Sequence, residues 1–189
     1  MMRRTIVGAM RLLSAFLALH IALLSVTGDA AAASREKIDR RVAEALDLFA
    51  AKITGGNDLL GRASGVLVFP SVKKAGIGIG GEYGEGALLI GGKPAAYYST
   101  FAASIGLQLG AQARTQMLLF MDPGALDKFR NSDGWEVGVD GSVALISVGA
   151  GGSIDSTAMN APILGFIFNN KGLMYNLSLE GSKISRIER

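Results

Sequence analysis

Three short patterns in this chain have the residue types and spacing for chemistry. Each needs neighbours that decide whether the chemistry is there. Ser71-Val72-Lys73-Lys74 has the S-x-x-K spacing of serine acyl enzymes. Those enzymes place the serine at a helix start and add S-D-N and K-T-G elements. Ser132-Asp133-Gly134 is only a partial echo, K-T-G does not occur, and Pro70 before Ser71 predicts a loop. Gly76-Ile77-Gly78-Ile79-Gly80-Gly81 has the G-x-G-x-x-G spacing of a dinucleotide turn, which needs a helix after it and an acid about 20 residues on. Glu82-Tyr83-Gly84-Glu85-Gly86 is a poor helix start and residues 95–105 hold no acid, so these glycines read as the face of a strand. Glu82 and Glu85 are spaced like a carboxylate pair for glycoside hydrolysis, but they flank Tyr83-Gly84 in a predicted solvated turn.

Two absences exclude more than these patterns suggest. The chain has no Cys, and its single His is His20 in the N-terminal segment. Beyond that segment there is no thiol nucleophile, no imidazole base and no His or Cys metal ligand. Ser-His-Asp and Cys-His catalysis and nearly all zinc, copper and haem sites drop out, and no cofactor is implied. A hydrolase working with carboxylates alone is the enzymatic reading that survives, and it ranks last. Stability must come from an apolar core, for which about 155 residues suffice.

The remaining candidates are cations. Lys73 and Lys74 sit in a predicted short loop between two apolar strands, where they could form a cationic tip for anionic head groups. Arg35, Arg40 and Arg41 lie on a predicted amphipathic helix, and basic flanks of that kind suit a membrane interface. Acids share that helix's polar face, which favours packing on its own domain.

The elements that hold these residues follow from periodicity. Residues 1–33 read as a secretory signal: Arg3, Arg4 and Arg11, then an apolar stretch from Leu12 to Val26, then Ala30 to Ala33. That stretch is shorter than the roughly 20 residues a spanning helix needs. Removing the segment takes three of 19 basic and one of 16 acidic residues, leaving 16 against 15 and a net charge of +1. Such a domain lacks the basic footprint of general nucleic-acid binding. Export, to a periplasmic or secreted location, is therefore expected, with a domain at 34–189. From Ser34 to Ile53 the residues Ile38, Val42, Ala45, Leu46, Phe49 and Ile53 form one helical stripe, and a second short turn covers Leu59 to Ala63.

From Gly65 the period changes to two. Strands are predicted at Gly65 to Phe69 (stopped by Pro70), Ala75 to Ile79, Ala87 to Ile90 and Ser99 to Arg114, the last bending near Gly106 or Gly110. Met117 to Met121 follows, then a short helix opened by Asp122 and Pro123. Trp135, Val137 and Val139 alternate, Val143 to Val148 continues as strand, and Gly149 to Gly152 forms a corner. Ile163 to Phe168 and Leu173 to Leu179 are predicted to pair as a hairpin around Asn169 to Gly172. With 26 glycines, many inside strands, the fold class is mainly β (α+β): a curved β-sandwich or small barrel with an N-terminal amphipathic helix and one short internal helix. The helical part spans 34–63 and the β-rich core 64–189.

Several blocks resemble the SYLF domain family. They are residues 65–76 (GVLVFPSVKKAG), 80–86 (GGEYGEG), 103–112 (ASIGLQLGAQ), 118–121 (LLFM), 134–138 (GWEVG) and 171–181 (KGLMYNLSLEG), in the family's order. The resemblance implies a lipid-binding, non-enzymatic domain for anionic phospholipid or phosphoinositide head groups. Lys73 and Lys74 fall at the family's basic loop. Arg35, Arg40 and Arg41 match its helix in character only. Actin binding, described for some eukaryotic members, does not transfer to an exported chain. The alternative is a structural or interaction domain of the cell envelope, meeting a protein partner or itself without touching lipid.

Overall fold

The structure is a computed structural model. It describes residues 34–147, 160–172, 179 and 181–189, with backbone only at 77–79, 104–110, 147 and 172. Helix α1 (Arg35–Lys52) starts at Ser34, whose side chain accepts from the Lys37 N–H at 3.3 Å. Glu36 lies in its first turn and Lys52 in its last, each at the end of the helix dipole that favours its charge. Its buried stripe is Ile38, Val42, Ala45 and Phe49, followed by Ile53. Gly55, at φ 76°, turns the chain into α2 (Gly56–Arg62).

Two long strands dominate the rest. β1 (Gly65–Ile90) and β2 (Lys93–Phe120) form one antiparallel hairpin around Gly91-Gly92, both at positive φ as a tight hairpin turn requires. Helix α3 (Pro123–Arg130) follows, with Asp122 accepting from the Ala125 N–H at 2.8 Å as N-cap. Then come β3 (Trp135–Glu136), β4 (Ala144–Ser147), β5 (Ile163–Gly172) and β6 (Lys183–Ile187). The sheet order is β3-β6-β2-β5-β4, with β1 also on β2. β4 runs parallel to β5, and the other pairs are antiparallel.

The hairpin folds back on itself. Leu67, Phe69 and Val72 from one end of β1 share a core with Leu88 and Tyr98 from the other end of the hairpin. A Cβ on Gly86 would sit 2.0 Å from the Val68 carbonyl oxygen, and one on Gly84 would sit 2.8 Å from Val72 Cγ2. Only glycine lets the two halves of β1 lie this close. The turn between them falls on the Gly76–Gly81 stretch, where the register slips between Ile77 and Ile79, opposite Leu109 and Ile105. The sheet is therefore a curled half-barrel, in line with the mainly β, curved fold predicted from glycine placement. One core lies under α1, where Phe49 meets Phe166 edge-on at 4.9 Å. The other lies inside the curl, around Phe120, Phe129 and Trp135.

Several local expectations are corrected. Pro70 does not end β1, which passes through it at a bulge. Lys73, Lys74, Glu82 and Glu85 lie in strand, not in loops or turns. Asn169 to Gly172 is not a hairpin turn, because β5 continues through it and pairs with β2. Past Glu136 the alternation at Val137 and Val139 does not continue as strand, and Val139 is exposed. The expected bend near Gly106 coincides with the register slip. The Gly149 to Gly152 corner and the Leu173 to Ser178 arm lie outside the described residues.

Candidate functional site

Strand alternation splits the charged residues of the hairpin between two faces. The inner face carries a buried cluster: Lys74 (6% exposed), Glu82 (7%) and Arg114 (2%). Glu82 bonds Arg114 Nη2 at 2.5 Å and Lys74 Nζ at 3.3 Å, tying the two halves of β1 to β2. With its amide oxygen turned inward, Gln116 accepts from Arg114 Nε at 3.0 Å and Nη2 at 2.9 Å. Burial pulls the Arg114 pKa below its ordinary value, and the neighbouring Glu82 carboxylate acts the other way. Gln112, paired in register with Lys74, is buried, and among the described residues neither of its amide atoms has a hydrogen-bond partner.

The outer face differs. Ala113 pairs with Lys73 on one side and with Lys171 on the other, so the three form one row across β1, β2 and β5. Residues opposite one another in a ladder point to the same face. Both lysines are exposed, and neither forms an ion pair among the described residues. Further along this face Tyr83 (50% exposed) and Phe101 (55%) are direct cross-strand partners.

Beside the row is a groove of about 380 Å³, bounded by α1, β1, β2 and β5. Two bulges flank β2 there. Phe69 to Val72 spans three steps against two from Gln116 to Arg114, and Phe168 to Lys171 spans three against two from Thr115 to Ala113. The extra residues bring Ser71 and Asn169 to the groove wall, with Asn169 at φ 55°. The Thr115 hydroxyl donates to the Pro70 carbonyl at 3.1 Å and pins the first bulge. Arg41 and Glu44 reach the groove from α1, and Lys171 from β5.

The five cations singled out from sequence do not converge. Lys73 is on the outer row and Arg41 in the groove, while Lys74 is buried in its ion pair. Arg40 is exposed on α1. Arg35 lies over the Tyr97 ring at 5.4 Å and donates to the Arg189 carbonyl, so it fastens the start of α1. The Tyr97 hydroxyl donates to Asp39 Oδ1 at 2.9 Å, and burial with this bond raises its pKa. Lys171 was missed because its Asn-Asn-Lys-Gly context reads as a turn. Its alignment with Lys73 depends on strand pairing that no local pattern reveals.

Among known families, one described as "Ysc84: Las17-binding protein actin regulator" matches residues 101–188. Residues 101–188 thus match the family of SYLF domains, consistent with the resemblance carried by the sequence blocks. The matched part runs from within β2 through β6, so it holds Ala113, Thr115, Asn169 and Lys171 of the groove. The resembling blocks at 65–86 and the α1 arginines lie upstream of it. No curated protein matches the chain. SYLF domains are binding-type domains. Among the described residues of this chain, no three acidic side chains gather for a metal, and no helix is long and apolar enough to cross a membrane.

Proposed function

We propose that this SYLF domain is a non-catalytic module that associates reversibly with anionic membrane surfaces. The observation that carries it is the row Lys73–Ala113–Lys171: two exposed cations, without an ion pair among the described residues, across a small residue on the face that also exposes Tyr83 and Phe101. Each such lysine near an anionic surface contributes about 1 kcal/mol, and an amphipathic aromatic can sit at the head-group level beside it. Arg41 adds a third cation from α1, and Arg40 lies exposed one residue before it. Export through the N-terminal segment would place the contact on the periplasmic or outer side. The family description names a protein partner and actin regulation; for an exported chain we carry over binding only.

The test is co-sedimentation of the purified protein with neutral and anionic vesicles across a salt series. Head-group attraction gives binding to anionic vesicles that fades as ionic strength rises. Lys73→Ala/Lys171→Ala should weaken it by an order of magnitude or more. Absence of binding to anionic vesicles at low salt would sink this reading and leave an envelope protein partner or self-association, whose apolar contacts salt does not weaken.

A further inference from the structure

We infer that the groove between α1 and the two bulges is a recognition site for a phosphodiester head group that also carries an ammonium, of the glycerophosphoethanolamine type. A site for a bare anion has no use for a carboxylate, yet Glu44 lines this groove with Arg41 and Lys171. Arg41 and Glu44 are three residues apart on one helix, a spacing at which opposite charges can pair. Among the described residues Glu44 pairs with none of the groove's cations, and the third of these, Arg114, is held by Glu82. The groove therefore presents both signs of charge with neither neutralised by the other. A ligand with a phosphate and an ammonium a few bonds apart meets both: phosphate against Arg41 and Lys171, ammonium against Glu44. Ser71 and Asn169, brought in by the bulges, offer a hydroxyl and an amide to the phosphate oxygens. A 380 Å³ groove is within the range of small-molecule sites. No covalent step is involved.

The inference rests on the membrane reading for the source of the head group, but its chemistry can be tested without a membrane. Glycerophosphoethanolamine and glycerophosphoglycerol share one phosphodiester and differ in the ammonium. Amide chemical shifts of the full chain, titrated with each, should move at Ser71, Ala113 and Lys171. The ethanolamine compound should bind about fivefold tighter, the upper range for one exposed ion pair. Glu44→Gln should erase that preference while keeping the weaker affinity for the glycerol compound. Arg41→Ala and Lys171→Ala should weaken both. All three side chains are exposed, so the variants should fold. Equal affinity for the two compounds, or a preference that survives Glu44→Gln, overturns the inference. So do shifts that gather away from the groove. A parallel arm compares phosphatidylglycerol vesicles with and without phosphatidylethanolamine. Binding to vesicles with no response to either soluble compound overturns the groove and leaves the membrane reading intact. A groove response without vesicle binding upholds the site, assigns it to a soluble phospho-amine and removes the membrane.

Discussion

Lys73 and Lys74 are adjacent in the chain and opposite in fate. Lys73 points outward in a row with Lys171, exposed and without an ion pair among the described residues. Lys74 points into the curl and ends on Glu82, which also binds Arg114. The inner charges hold the hairpin in its folded-back shape, where desolvation makes a lost partner costly. The outer charges contribute little to folding and are free to meet something else. A basic pair in a sequence is thus not one site. Strand alternation can divide it into a structural half and a binding half.

The inner face should break first and hardest. Gly86→Ala forces a Cβ into the Val68 carbonyl, a clash with backbone that no rotamer relieves. It should cost at least ~4 kcal/mol or prevent folding, seen as a collapsed or absent urea transition. Glu82→Gln leaves Lys74 and Arg114 buried without their shared carboxylate and should cost ~3 kcal/mol in the same assay. If Glu82→Gln unfolds at the wild-type midpoint, the cluster does not hold the curl. Thr115→Val removes the hydroxyl that pins the Pro70 bulge, and should cost about 1 kcal/mol. Its sharper readout is the groove, where shifts in the Ser71 and Lys171 amides would show the bulge relaxing.

Much of this architecture was legible because it is local. The α1 stripe follows from a 3.6-residue period, and α3 from Asp122-Pro123. The curvature follows from glycines placed inside strands. The turns placed at Glu82 to Gly86 and Asn169 to Gly172 were wrong for a common reason. Gly and Asn are turn formers in isolation, but pairing with β2 holds Gly84, Gly86, Lys171 and Gly172 in strand, Asn169 and Asn170 fall in the bulge of β5, and Gly84 and Gly86 are present for close approach. Pro70 misled similarly, since a bulge accommodates a proline that a regular ladder would reject. Of the site, Lys73 and Arg41 were legible as cations. Lys171 and Glu44 were not, because their meaning comes from partners distant in sequence.

The smallest effect is the most decisive, because it sets the two neighbouring lysines against each other. Lys73→Ala should leave the urea midpoint nearly unchanged, within about 0.5 kcal/mol, since an exposed unpaired side chain stabilises little. It should still weaken anionic-vesicle binding about fivefold, the equivalent of roughly 1 kcal/mol near a charged surface. Lys74→Met should do the reverse. It removes one of two cations from Glu82, lowering stability measurably, while the outward row and the vesicle affinity of the folded protein stay as they were. If both substitutions reduce vesicle binding equally at matched folded fractions, net charge governs the association and the face carries no meaning. If Lys74→Met alone reduces it, the buried cluster opens on binding and the assignment of faces is reversed. Only opposite responses of adjacent residues, one in stability and the other in binding, uphold the division that strand alternation imposes.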